Sequence, residues 1–428
     1  MIATESGAAG QTKTEIAIVG GGMVGLTLAL ALDQAGLAVT VLDAAPSAAQ
    51  LEPRFDGRAS AIAFASFRMW KTLGVADRLA GDFQRIENIL VTDGRVADGL
   101  RAGGPSALRL HFDRRELDEA PEGEALGYMV ENRAARRALM AEVSARPNLT
   151  LIAPARVIST NVGDDGVELV LESGSRISAA LAISAEGKAS SLRKIAGANV
   201  VAWKYAQTAI VCTIGHEHAH SGVAHEYFLP AGPFALLPLT QKRMNIVWTE
   251  KTRAAQALLA MNEADILAEL RRRAGDFLGA VRLEGPRFSY PLGMQIADRY
   301  IAPRIALVGD AAHSIHPIAG QGLNMGLRDV AALAECVADA LRQGLDVSDF
   351  TALERYQAWR RFDNVALALA TDGFNRLFSN DFGRMRLVRD LGMAAVGRIG
   401  LARRFFMREA GGGVGDLPKL LRGESLAA

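Results

Sequence analysis

An α/β fold carrying a separate antiparallel sheet is what this 428-residue chain predicts, on three observations. A short apolar strand runs into a glycine turn, Gly20 to Gly25, and then a helix, and the next strand closes on an acid, Asp43. A second strand, acidic tip, glycine loop and helix lie far downstream, at residues 304–335. Between them, from Trp203 to Trp248, the texture changes to alternating strands.

Composition bounds the function. The length holds two or three domains, and half the residues are apolar, enough for a large core. A net charge of +1 and a pI near 7.8 give no global field, so no nucleic-acid partner is expected. Cys212 and Cys336 are the only cysteines and no CxxC occurs. Neither a disulfide framework nor a thiolate metal site is expected, and a reducing cytoplasm fits. Residues 1–13 are polar, without the apolar core of a signal peptide. No run approaches the roughly 18–20 apolar residues of a membrane span.

Residues 15–19 make the first strand, Gly36 ends the helix and residues 38–42 make the second strand. Gly20 permits the tight turn, Gly22 lets backbone approach a pyrophosphate, and Gly25 lets helix and strand pack closely. The pyrophosphate would rest on the helix N-terminus at Gly22 and Met23. Asp43 would bind both hydroxyls of an adenosine ribose, which disfavours a 2′-phosphate. The occupant is therefore NAD or FAD rather than NADP.

The downstream unit makes the choice. Its strand, residues 305–308, ends on Gly309 and Asp310. Leu323, Leu327, Val330, Ala334, Val337 and Leu341 then form one helical stripe, with Gly344 as its stop. The first turn, at Gly322, Leu323 and Asn324, offers N–H groups with no partner inside the helix and a partial positive charge. Asp310 could accept hydrogen bonds from sugar-like hydroxyls. A ligand polyhydroxylated in one part and anionic in another suits this, as a reduced flavin does, so the pair of units selects FAD.

The remaining elements follow in order. Residues 54–70 start as a turn and become a helix with Arg58 at its entry. Residues 87–91 and 107–112 read as strands, and Asn132 reads as the cap of an Ala/Arg-rich helix. Strand pieces follow at 149–153 and 157–159, then a hairpin of 166–171 with 176–178, then a buried strand at 181–184. The later sheet takes 209–214, 224–229, 234–239 and 244–248. Its apolar residues Phe228, Phe234, Leu236, Leu237, Pro238 and Trp248 suit either a greasy aromatic substrate or the sheet's own core, and alternation puts about half on each face. His216, His218 and His220 would share one face of an extended strand, but a polar surface loop is preferred to a metal site, and no metal is expected. Residues 253–277 read as helix, and 289–292 return the chain to the first domain. Residues 384–408 hold seven Arg and one acid beside an apolar stripe. They suit either a helix on an anionic membrane or a packed helix with a solvated basic face.

Several segments carry a family resemblance. GDAAHSIHPIAGQGLNMGLRD, the run Gly127-Tyr128-Met129-Val130-Glu131-Asn132-Arg133, GPFALLPL, NIVWTE and LPKLLRG resemble the ubiquinone-biosynthesis FAD-dependent hydroxylases. These are the polyprenylphenol hydroxylases within the para-hydroxybenzoate-hydroxylase-like flavoprotein monooxygenases. The resemblance implies a Rossmann-like FAD-binding domain (1–83, 125–199, 288–372), an inserted antiparallel-sheet substrate domain (84–124, 200–287) and a C-terminal helical region (373–428). It adds Arg58, Asn132 and Val157 to the cofactor set of Gly20, Gly22, Met23, Gly25, Asp43, Gly309, Asp310, Gly322, Leu323 and Asn324. It suggests Phe228, Leu236, Pro238 and Trp248 for the substrate. The related segment A-D-G-x-x-S-x-x-R is matched at Gly187, Ser190 and Arg193, but Glu186 replaces the aspartate, which bears on how a reductant docks.

The activity so implied is hydroxylation of a polyprenylated phenol by dioxygen through a flavin hydroperoxide, with NAD(P)H or another donor visiting briefly. The cofactor carries the chemistry, so no catalytic residue is named. Peripheral contact with the inner face of the cytoplasmic membrane, a biosynthetic protein assembly and a homo-oligomer are further expectations. The alternatives are a hydroxylase of a small soluble aromatic, a flavin dehydrogenase or reductase, and a flavin-binding scaffold without turnover.

Overall fold

The structure is a computed structural model, and it describes residues 2–3, 11–47, 57–93, 109–116, 124–317, 320–378, 404 and 407–427. Two large sheets organise it. The first holds a parallel core in the order Leu149–Ile152, Val39–Leu42, Gln11–Val19, Arg176–Ser184 and Ile305–Leu307. Ile183 pairs with Ile18 on one side and Ala306 on the other, so the two cofactor units predicted from sequence flank one strand. Gly20, Ala185 and Gly309 therefore all emerge at the carboxyl edge of the same sheet, where open α/β sheets bind ligands.

Glycines permit the close approach there. A Cβ on Gly25 would stand 1.9 Å from the Gly20 carbonyl oxygen, and one on Gly20 (φ 111°) would stand 2.3 Å from the Ala185 oxygen. The helix Met23–Gln34 thus rests directly on the turn that precedes it. The helix Gln321–Arg342 is buried on nearly all sides, more than its single apolar stripe implied. It packs against Met23–Gln34, Phe64–Thr72, Phe350–Phe378 and Lys419–Arg422.

The second sheet has eight strands, His313–Ser314, Val281–Ala297, Val200–His216, Arg243–Lys251, Gly232–Leu239, Val223–Leu229, Asn88–Asp93 and Arg109–Asp113. One face packs on the helices Thr252–Ala260 and Glu263–Ala274 around Phe234, Leu236, Ile246 and Trp248. Its first strand belongs to the downstream glycine loop, because Ser314 pairs with Gln295 and His313 with Ile296. A three-stranded sheet, Ala59–Ala63, Gly127–Glu131 and Phe83–Ile86, bridges the two.

Several expectations are corrected. A strand, Ala59–Ala63, separates Arg58 from the following helix. The hairpin arm at 176–178 and the strand at 181–184 are one element, Arg176–Ser184. Residues 289–292 do not leave the substrate sheet, since Val281–Ala297 continues through them, its register broken by bulges against Val200–His216. The helical stretch at 253–277 is two helices with a break at Met261 and Asn262. Of the basic segment 384–408, all but Arg404, Met407 and Arg408 lies outside the described residues.

One buried carboxylate ties these pieces together. Asp329 accepts from the Gly309 N–H (3.1 Å) and His313 Nε2 (2.5 Å) on Oδ2, and from Arg360 Nε (3.2 Å) and Asn364 Nδ2 (2.9 Å) on Oδ1. Burial pushes this carboxyl up, but His313, Arg360 and Asn364 together hold it below its ordinary value.

Two predictions follow from this packing. Gly25→Ala forces backbone apart and is expected to cost at least about 2 kcal/mol in urea unfolding. Gly22→Ala, whose Cβ would meet nothing within 4 Å, serves as the tolerated control. Asp329→Ala strips the buried Gly309, His313 and Asn364 donors of their acceptor and leaves Arg360 with only Asp363 as countercharge, and is expected to cost about 3–5 kcal/mol. Because the folded carboxyl is depressed, the stability it lends is present above the unfolded value, about 3.9, and fades as the pH falls through the folded one. The gap in Tm between wild type and Asp329→Asn should therefore close on acidification.

Candidate cofactor and substrate site

A cavity of about 740 Å³ lies between the two sheets. At one end it is lined by Gly22, Met23 and Val24 and by Gly320 to Asn324. These are the first turns of Met23–Gln34 and Gln321–Arg342. Both helices are capped by a glycine with no side-chain cap bond and carry no acid in the first turn. Their N–H groups and positive dipole ends thus face one space. A Cβ on Gly22 or Gly322 would meet nothing within 4 Å, so the room beside them is open.

Asp43 accepts from the Gly21 N–H (2.7 Å) and the Ala45 N–H (2.7 Å), which fixes its carboxylate at the turn. Gly21, which sequence reasoning passed over, matters here, since its Cβ would lie 2.6 Å from Asp43 Oδ2. Gly309 is held by Asp329. Asp310 lines the cavity, and its side chain has no hydrogen-bond partner among the described residues. Burial raises its carboxyl above the ordinary value against the pull of Lys188 and His313. An acceptor of this kind fits a ligand rich in hydroxyl groups. Two anion-seeking helix ends, an open glycine floor and a bare acceptor together fit a flavin dinucleotide.

The two asparagine side chains bond to protein groups. Asn132 is the first residue of its helix, not its cap, and its Oδ1 accepts from Ser60 Oγ (2.7 Å). Asn324 accepts from the Ala63 N–H and donates to the Ala61 carbonyl, each at 2.8 Å. Both side chains brace the strand Ala59–Ala63, and Arg58 joins them on the cavity wall. Val157 starts the strand Val157–Val162 and lies outside that wall.

Glu186 turns away from the cavity. Its carboxylate accepts from Ser184 Oγ, Ser190 Oγ, Ser191 N and Oγ, and Leu192 N, between 2.7 and 3.1 Å. Arg193 then donates to the Ala311 carbonyl (3.0 Å), so this segment braces the second glycine loop.

The other end of the cavity is the free face of the eight-stranded sheet. Phe228, Pro233, Ala235, Leu237, Val247 and Val211 line it. Of the expected substrate residues only Phe228 is on this wall. Leu236 and Trp248 face the opposite core, and Pro238, in phase with Leu236, is also outside the wall. Both faces of these strands are apolar, so hydrophobicity alone did not reveal the phase.

The histidines divide by role. His313 serves Asp329. His316 is fully buried, with neither ring nitrogen partnered among the described residues, and burial lowers it to about 4. His216, His218 and His220 each engage a backbone carbonyl, and no cluster suited to a metal occurs among the described residues. His216 is buried at a strand end, so the expected surface loop covers only part of that run.

A profile of the FAD binding domain family matches residues 13–363. The chain is 46% identical to the ubiquinone hydroxylase UbiL of Rhodospirillum rubrum, over 96% of this chain and 93% of the relative. It is 38% identical to the 3-demethoxyubiquinol 3-hydroxylase of Escherichia coli, over 93% of this chain and 98% of that one. The p-nitrophenol 4-monooxygenase PnpA of Pseudomonas putida shares the fold, with a TM-score of 0.76 at 18% identity over 95% of this chain and all of that one. With the glycine cradles and the cavity they border, these likenesses establish that the chain belongs to the ubiquinone-biosynthesis branch of the FAD-dependent aromatic hydroxylases and is a flavin-dependent monooxygenase.

Proposed function

We propose that the protein hydroxylates the ring of a polyprenylated phenol in ubiquinone biosynthesis, with FAD bound and NAD(P)H or another donor supplying electrons transiently. One observation carries this: a single cavity joins two helix N-termini that lack a side-chain cap bond to an apolar β-sheet wall. When bound, the flavin supplies the oxygen-activating chemistry.

The chain's own residues do the rest. The N–H groups from Gly22 to Val24 receive the pyrophosphate, and Asp43 receives the adenosine ribose. Asp310 accepts from hydroxyls of the cofactor's chain. The N–H groups from Gly322 to Asn324 stabilise negative charge on the ring system. Phe228, Ala235, Leu237 and Val247 hold an apolar substrate and keep water from the reacting atoms. Among the described residues no helix is long and apolar enough to cross a membrane. For peripheral contact with an anionic membrane, the basic composition of residues 384–408 is the supporting feature.

Two measurements test this reading. Gly322→Val fills open space, so the apoprotein should melt near the wild-type temperature while FAD binds about tenfold or more weakly by fluorescence titration. FAD-loaded protein given geranylphenol, NADH or NADPH and isotopically labelled dioxygen should yield a product with one labelled oxygen. Consumption of reductant without labelled product would overturn the proposal. Faster turnover of a water-soluble phenol would favour the small-aromatic alternative.

A further inference from the structure

Among the described residues the apolar wall contains one acid. Glu226 lies in Val223–Leu229, and its cross-strand neighbours are Val91 and Ala235, followed by Val247 and Val211. All four line the same cavity, so alternation turns the Glu226 side chain into it. The adjacent His225 stacks on Tyr227 and Phe277 on the far face. Glu226 has no hydrogen-bond or ion-pair partner among the described residues. An unpaired carboxyl in an apolar wall costs stability, so its position calls for a ligand group that it can bind.

The geometry points to Glu226 as the residue that binds the ring hydroxyl of the phenol and takes its proton, an assignment that rests on the function proposed above. The phenol O–H bond breaks and the proton moves to a Glu226 carboxylate oxygen. The electron pair stays on the phenol oxygen and raises electron density at the ortho and para carbons, where an electrophilic oxygen attacks. Once the new C–O bond has formed, the attacked ring carbon loses its hydrogen as a proton to the anion left on the oxygen donor, and Glu226 returns its proton to the ring oxygen, which restores the aromatic ring and the Glu226 carboxylate.

The environment suits this task. Burial alone raises the Glu226 carboxyl to about 8. A base of that strength takes a phenol proton far more readily than an ordinary carboxylate does. The other charged or titratable groups that border the cavity are Arg58, Lys188, Asp310, Tyr290 and His225, the last with its ring on the far face of the sheet. None of them contributes to the shift of Glu226.

The test compares FAD-loaded wild type, Glu226→Gln and Glu226→Leu with geranylphenol, reading labelled product, KM, kcat and peroxide release from pH 6 to 9. Flavin content and Tm establish that each variant is folded. Wild-type kcat/KM should rise with pH through a midpoint near 8, the value to which burial raises this carboxyl. Glu226→Gln keeps a hydrogen bond but no base, so KM should stay within about threefold while kcat falls about 100-fold and the pH rise disappears. Glu226→Leu should raise KM about tenfold and divert reductant into peroxide. A pH rise that persists in Glu226→Gln, or a Glu226→Leu variant that couples as well as wild type, would overturn the assignment. Failure of wild type itself to form product would instead remove the function proposed above.

Discussion

Everything at the cofactor end depends on where one strand tip is held, and Asp329 holds it. The residue is completely buried, yet each oxygen takes two hydrogen bonds, from Gly309, His313, Arg360 and Asn364. A lone carboxylate in that position would be prohibitive, whereas a fully bonded one becomes a rigid junction. It joins the end of Ile305–Leu307, the loop beyond it and the helices Gln321–Arg342 and Phe350–Phe378. Asp310, next to the pinned Gly309, thereby faces the cavity with its carboxylate uncommitted.

The same junction couples the two sheets. His313 bonds to Asp329 and also pairs with Ile296 in the substrate sheet. The apolar wall is therefore positioned relative to the helix N-termini by covalent continuity and a two-residue strand rather than by loose packing between domains. That matters because a reaction at a ring carbon tolerates little misplacement. Asn324 and Asn132 complete the frame by bracing the strand between them, Ala59–Ala63.

The parallel sheet, the first glycine turn and the long second helix were legible because their signals are local: runs of apolar residues, glycines at fixed offsets and a helical stripe. The substrate wall was not. In Gly232–Leu239 nearly every residue is buried, so Leu236 and Leu237 look alike in sequence while facing opposite ways. Only pairing fixes that phase, and pairing is non-local. The two 17-residue strands were cut short because bulges and Pro291 interrupt their pattern. Glu186 read as a perturbed docking residue. In the fold its carboxylate also accepts from the amides of Ser191 and Leu192, contacts that only three-dimensional placement shows.

Two acids share this cavity, and their surroundings separate them. Burial raises both, but at Asp310 it is opposed by Lys188 and His313, and at Glu226 by nothing. A carboxylate with cations nearby is favoured as a standing acceptor, whereas a carboxylate in an apolar wall is a stronger base and takes a proton from a partner of comparable acidity. A phenol is such a partner and an aliphatic alcohol is not. Environments that push two carboxyls apart are how one site divides binding from proton transfer. The division here runs along the length of the cavity, from the helix ends to the sheet. The wall around Glu226 thus bears on substrate class twice, by accommodating apolar bulk and by setting the strength of the one base within it.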